Sequence, residues 1–229
     1  EYRYVVVDTV SNDDLYAIGK ASAHLKLITG GSGLSVGLAK NFEDKGLFKI
    51  RSNSAELSKV KGEAIVISGS CSAMTQKQVA RFQENFQSKK ISPLDIASGR
   101  TTLNDFLAWF DNNRSAGTLM FYATDTPENI RLVQAELGIE HASEIVENFM
   151  ADLVTALEKR GITKFIVAGG ETSGAVVKAL NPSMLKIGGS IAPGVPLTEI
   201  AGDSPKLVAL KSGNFGDEYF FEKALEMMQ

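Results

Sequence analysis

The sequence predicts an α/β protein of three αβα layers built on a largely parallel sheet. Short apolar runs alternate with longer amphipathic stretches along the chain, the rhythm of strands feeding helices. Four of those runs open directly into turns rich in Gly and Ser, as expected where a parallel strand hands over to a helix. The length, 229 residues with 44% hydrophobic and 22% charged, suits one large domain or one and a half smaller ones.

Taken in order, residues 2–8, centred on Tyr4-Val5-Val6-Val7, read as a buried strand. A chain that opens inside a strand, without an initiator Met, is expected to continue upstream. Ser11 followed by Asn12, Asp13 and Asp14 is a helix start, with the hydroxyl as cap and acids in the first turn. That helix is expected to run to about His24, followed by a strand at residues 25–29 and a helix to Ala39. Residues 41–62 are polar and weakly patterned, the signature of a linker, which places the domain division at 1–55 and 56–229.

The second run predicts a strand at residues 64–67 and a helix over 75–87, with Val79, Phe82 and Phe86 on one face. The Lys89-Lys90 pair reads as the solvated end of that helix. A strand at 91–96, a helix over 102–112 and a strand at 118–123 follow. A long helix from Ile139 to Arg160 precedes a strand at 164–168 and a helix to Leu180. Short strands near 185–187 and 207–210 and a helix over 218–227 close the chain.

Several chemistries are excluded by residue type. One cysteine, Cys71, and two histidines, His24 and His141, leave no disulfide framework and no His- or Cys-rich metal centre. A net charge of -3 offers no polycationic footprint for nucleic acid, and no apolar run reaches the length of a membrane span. A cytoplasmic protein is expected.

The four turns are Thr29-Gly30-Gly31-Ser32-Gly33, Ser68-Gly69-Ser70-Cys71-Ser72, Gly169-Gly170-Glu171-Thr172-Ser173-Gly174 and Lys211-Ser212-Gly213-Asn214-Phe215-Gly216. Each alone is an ordinary βα turn. Together, with clustered hydroxyls, they favour anion binding, because glycine lets backbone N–H groups approach a phosphate at a helix N-terminus. The P-loop pattern is absent. Gly31, Gly33 and Gly37, with Arg51 further on, resemble a loosened dinucleotide fingerprint, so an NADP-dependent oxidoreductase is the rival reading. A folded nucleotide-binding module without turnover is the other.

Among candidate acid–base groups, His24 reads as a helix C-terminal partner and His141 as a solvated residue beside Glu140 and Glu144. Cys71 reads as a small filler, although a helix N-terminus could activate its thiol. Glu171 either complements a helix dipole or meets a ribose or a metal-bound water. Trp109, with Phe106 and Phe110, reads as helix core rather than a stacking platform.

Read together, Leu27-Ile28-Thr29-Gly30-Gly31-Ser32-Gly33-Leu34, the Val66–Ser72 string with Thr75-Gln76, Ala168–Val176, and Ala209–Gly216 with Phe220-Phe221 closely resemble the C-terminal half of the four-carbon acid sugar kinases. The resemblance covers essentially the whole chain. It implies a two-domain kinase that uses ATP and Mg2+ to phosphorylate the 4-hydroxyl of a four-carbon sugar acid, with the acceptor leaning to a 3-oxo-tetronate. Residues 1–55 would be the C-terminal remnant of the acid-binding domain and its linker, and 56–229 the nucleotide-binding domain. By motif, nucleotide contacts fall on Ser68, Gly170, Glu171, Thr172, Ser173 and Gly213, and Gly30, Gly31, Ser32 and Gly33 would face the acceptor or the γ-phosphate. The family's Asp-Asp-x-Thr-Gly motif is missing: Asp13-Asp14-Leu15 opens a helix. No catalytic base is therefore assigned, and this chain alone is expected to be inactive. The implied partners are the sugar acid and ATP, with homodimerisation left open.

Overall fold

A computed structural model describes residues 5–49 and 53–229, and the chain divides into two compact units, Glu1–Ser54 and Ala55–Gln229.

The first unit is built on two helices, α1 (Asn12–Ala21) and α2 (Leu34–Asp44). Ser11 caps α1, and the Asp14 carboxylate accepts from the backbone N–H groups of Ser11 at 2.8 Å and Val10 at 3.0 Å. The helices cross glycine on glycine. A Cβ on Gly37 would stand 2.0 Å from the Leu15 carbonyl oxygen, and one on Gly19 would stand 2.4 Å from the Gly37 carbonyl carbon. Asn41 closes the crossing by donating to the Gly19 carbonyl at 2.7 Å.

Two sequence expectations fail in this unit. Residues 25–29 form no strand, and Leu27 is 87% exposed. Val5, Val6 and Val7 are likewise exposed and outside any strand, while Tyr2 and Tyr4 lie outside the described residues. An apolar run becomes a strand only beside a pairing partner, and the described residues of this unit contain no strand to pair with.

The second unit runs β1 (Glu63–Ser68), α3 (Ala73–Gln83), β2 (Ser88–Lys90), α4 (Pro93–Ala97), α5 (Leu103–Asn113), a 3-10 turn, and β3 (Leu119–Tyr122). It continues with α6 (Pro127–Leu137), α7 (Ile139–Lys159), β4 (Ile162–Ala168), α8 (Gly170–Leu180), β5 (Leu185–Ala192), β6 (Val195–Ile200), β7 (Lys206–Lys211) and α9 (Phe220–Met227). One sheet of order β2-β3-β1-β4-β7-β6-β5 carries the unit. Pairing is parallel from β2 through β7 and antiparallel from β7 to β6 and β5.

The central strands are buried on both faces, which makes their sequences read as unbroken apolar runs. Ile65 and Ile67 of β1 join Phe106, Phe110, Phe149 and Leu153 under α5 and α7. Val66, between them, turns to the opposite face and meets Val79, Phe82, Phe220 and Phe221 of α3 and α9. Helices cover both faces, giving the three layers.

The strand expected at 91–96 is instead the short β2 followed by α4. Pro93 at the first helical position, with the Ser92 hydroxyl accepting from the Asp95 N–H, starts a helix there. Lys89 and Lys90 accordingly lie on β2 rather than at a helix end, Lys90 pairing with Asp125 at 2.6 Å. Two elements were not foreseen. The helix α6 is announced by Thr126 as cap and Pro127. The strand β6 contains Pro196, which argues against an interior strand but is tolerated where its pairing with β5 is irregular.

Candidate functional site

Parallel register aligns the carboxyl ends of four neighbouring strands: Ser68 of β1 pairs with Tyr122 of β3 and Ala168 of β4, and Ala168 pairs with Lys211 of β7. The loops that follow leave from one edge of the sheet, where α/β proteins hold ligands. Backbone bonds stitch them together. Gly69 and Ser70 N–H donate to the Ala168 carbonyl at 2.9 and 3.1 Å, and Gly169 N–H donates to the Lys211 carbonyl at 2.9 Å.

Glycine at two of these positions follows from crowding. A Cβ on Gly69 would lie 2.0 Å from Thr172 Oγ1. Gly169, with φ of 128°, occupies a backbone region that L side chains rarely adopt and approaches the same hydroxyl. That turn starts α8 at Gly170 with no side-chain cap, so its first N–H groups are directed at the space over the loops. A Cβ on Gly170 would touch nothing within 4 Å. Glu171 is exposed, Thr172 is buried, and the Ser173 hydroxyl is sequestered with no hydrogen-bond partner among the described residues.

Ser68 sits beneath this surface, fully buried, its hydroxyl 2.8 Å from Thr124 Oγ1. Thr124 already donates its proton to the Ser70 carbonyl, so Ser68 is the donor in that pair. Its side chain ties β1 to the loop after β3.

The loop after β7 is held by α3. Thr75 Oγ1 donates to the Gly213 carbonyl at 2.8 Å, and Gln78 Nε2 donates to the carbonyls of Phe215 at 3.1 Å and Asp217 at 2.8 Å. Gly213 packs close to Ser70 and Ser72, whose hydroxyls a Cβ there would meet at 3.1 and 3.2 Å.

Beneath this loop lies a residue that the sequence reading missed. Lys211 is 0% exposed, and its ammonium donates to Thr75 Oγ1 at 2.9 Å and the Gly213 carbonyl at 2.7 Å. It forms no ion pair with a carboxylate among the described residues. Burial pushes its pKa from 10.5 down to about 8. At neutral pH it is thus a cation compensated only by neutral oxygens, directly below the Gly213 turn. A lysine closing the otherwise apolar strand Leu-Val-Ala-Leu was the available signal.

On the other side of the Gly169 turn, α6 and α7 flank an open cleft of about 130 Å³ that reaches Gly69, Cys71, Glu171 and Thr172. Cys71 is partly buried, and burial raises its thiol pKa, in keeping with a filler rather than a nucleophile. Trp109 packs edge-on to Phe121 at 5.4 Å on the core's border. His24 and His141 are exposed.

Gly30, Gly31, Ser32 and Gly33 belong to the first unit and lead into α2, with Ser32 offering its carbonyl to the Ser35 hydroxyl at 2.7 Å. The dinucleotide fingerprint is not formed there. No strand precedes α2, Gly37 is consumed by the helix crossing, and Arg51 lies outside the described residues.

Residues 65–221 match the family model described as the nucleotide-binding C-terminal domain. The chain is 43% identical over 227 residues to the 3-oxo-tetronate kinase of Cupriavidus necator, covering 99% of this chain and 52% of that protein. It is 46% identical over 222 residues to the 3-oxo-tetronate kinase of Pseudomonas fluorescens, covering 96% and 51%. The crystal structure of Haemophilus influenzae protein HI1011 superposes with a TM-score of 0.78 at 37% identity, over 100% of this chain and 54% of that one. The chain spans about half the length of the curated relatives it matches.

Proposed function

Because the chain belongs to the nucleotide-binding C-terminal domain family, we propose that it is the ATP-binding half of a kinase that phosphorylates the 4-hydroxyl of 3-oxo-tetronate. The observation that carries this reading is the convergence of the loops after β1, β4 and β7 on one sheet edge, over the buried cation Lys211. The relatives' names supply the acceptor.

The residues fit the nucleotide. The uncapped N-terminus of α8 at Gly170, Glu171 and Thr172 offers N–H groups and a positive dipole end to phosphate oxygens. The unpartnered Ser173 hydroxyl is a polar group that a ligand would satisfy. Gly213 keeps its turn free of side-chain bulk, while Lys211 supplies charge from below. Ser68 serves by holding the β1 and β3 loops together. ATP supplies the transferable phosphoryl group, and this half positions the phosphates and offsets their charge, which is most of what phosphoryl transfer asks of a protein.

Mg2+ fits this half less well. No three metal-ligating side chains cluster among the described residues, so we assign the ion no protein cage here and derive no step from it. Residues 1–55, with Gly30, Gly31, Ser32 and Gly33, we assign to the sugar-acid-binding part. Acceptor activation falls to residues outside this chain, so the chain by itself should bind nucleotide without turnover.

Calorimetry with MgADP tests the proposal. Wild-type protein should bind, and Gly170→Val, at a position where a side chain meets no neighbour, should weaken binding about tenfold or more by crowding the phosphate path while leaving the fold intact. Equal affinity in the variant would remove this turn from the site.

A further inference from the structure

We infer that Thr75 is a positioning residue of the phosphate site: its hydroxyl is the fixed acceptor that keeps Lys211 an ammonium and aims it at the underside of the Gly213 turn. This rests on the ATP-binding reading above and names what holds that charge ready.

Its place in the helix already makes Thr75 unusual. Ser72 caps α3, its hydroxyl accepting from the Thr75 N–H at 3.3 Å. Thr75 therefore stands at the third helical position, where a Glu or Gln commonly reaches back to complete the cap. Threonine gives up helix propensity there. It is fully buried instead, with its hydroxyl turned toward Lys211 of β7.

Donors and acceptors balance at this hydroxyl. It donates to the Gly213 carbonyl at 2.8 Å, and it accepts from Ser72 Oγ at 3.1 Å and from the Lys211 ammonium at 2.9 Å. Its one proton and two lone pairs are then all used. Lys211 faces three oxygens: Thr75 Oγ1, the Gly213 carbonyl at 2.7 Å and the Ser212 carbonyl at 3.4 Å. An ammonium has a donor for each, whereas a neutral amine would turn its lone pair on one of them. Both carbonyls belong to the turn itself and move with it. Thr75 belongs to a helix, so it is the point against which the charge is held.

No neighbouring charge substitutes for it among the described residues. Lys77 of α3 and Glu171 and Lys178 of α8 are exposed. Arg81 of α3 sits with Glu84 and with Glu222 of α9, and Asp217 pairs with Lys223. The Cys71 thiol faces Asp125 and Lys90, and Glu199 of β6 takes Ser58. Lys164 and Lys206 lie toward the amino ends of β4 and β7, away from the turn. Burial alone lowers the Lys211 pKa, so losing an acceptor from this shell should tip the side chain to its neutral form near pH 7.

The test is Thr75→Val, which keeps the shape and removes the hydroxyl, with Thr75→Ser as the rescue. Thr75→Cys, a poor acceptor of similar size, stands in if the valine variant does not fold. NMR of isotope-labelled lysine side chains in the ligand-free chain follows the titration directly, with Lys211→Met to identify the signal. Thr75→Val should lower that titration by about one to two pH units, the scale of one charge-assisted hydrogen bond, and Thr75→Ser should restore it. Calorimetry with MgADP reads the consequence. The valine variant should bind about tenfold more weakly than wild type at pH 7.5, and within about threefold of it at pH 6, where its lysine is charged again. A titration unmoved by valine, or a deficit of equal size at both pH values, would make Thr75 a packing residue and overturn the inference. So would a serine variant as impaired as the valine one. Wild type that binds no MgADP would overturn the ATP reading, and the ligand-free titration would still decide whether Thr75 holds the charge.

Discussion

The two flanks of the Gly169 turn are built on opposite principles. Toward β7, the Gly213 loop is locked before any ligand arrives: Thr75, Gln78 and Lys211 spend their donors on its carbonyls, and the charge beneath it is fixed in place. Toward α6 and α7, the cleft presents Gln134 and Glu147 without internal partners and depends on a thinly packed helical hairpin. A preorganised flank stabilises charge without reorganising. An open flank leaves its polar groups for a ligand to satisfy. The difference teaches that one edge of a sheet can carry a preorganised, charged flank beside an open one whose polar side chains lack internal partners.

The hinge between the flanks is the place to break both at once. Gly69→Ala would push a methyl group into Thr172 Oγ1, 2.0 Å away, and force the β1 and α8 turns apart. We expect a loss of about 3 kcal/mol of stability, in line with overpacking at a rigid contact. Urea unfolding measures it, and a loss under about 1 kcal/mol would show that the turn yields.

Lys211→Met isolates the locked flank. Thr75 still donates to the Gly213 carbonyl, so the loop keeps one anchor, while the site loses its buried charge. MgADP affinity should fall about thirtyfold, the scale of a charge-assisted contact, with a much smaller change in fold stability. Calorimetry paired with urea unfolding separates the two, and an unchanged affinity would make Lys211 purely structural.

A pH titration sharpens the same contrast with the smallest effect. The pKa of Lys211 is about 8 in the folded chain and 10.5 in its ordinary state. Between those values the unfolded chain holds the extra proton, so the cost of burying the charge is fully present below pH 8 and is relieved as pH rises through 8 toward 10.5. Wild type should therefore gain on the order of 2 kcal/mol relative to Lys211→Met between pH 7.5 and 9.5. Phosphates favour the charged form, so MgADP binding at pH 9 should take up part of a proton, visible as a dependence of the binding enthalpy on buffer. No uptake, or equal uptake in the variant, would place the nucleotide's charge away from Lys211.

Much of the second unit was legible in its residues. Strands buried on both faces must be apolar throughout, so Ala-Ile-Val-Ile at 64–67 and Phe-Ile-Val-Ala at 165–168 stand out. Turns that need close backbone approach must be glycine, so Gly69 and Gly169 mark themselves. What misled was local pattern without its partner. Residues 25–29 look like a strand yet find no neighbour to pair with, and Gly37 looks like part of a phosphate loop yet serves a helix crossing.

The sequence by itself determined the α/β class and the family resemblance, and it placed the turns at Ser68, Gly169 and Lys211, because strand burial and turn geometry leave few residue types acceptable at those positions. Tertiary structure alone decided what surrounds those turns. The helix α3 reaches from about residue 75 to clamp the loop at 213. Lys211, unremarkable at the end of a strand, becomes a buried cation because β7 lies inside the sheet. The cleft exists because α7 outruns the strands beside it. Contacts across more than a hundred residues leave no local pattern, and burial belongs to the fold rather than to any one side chain.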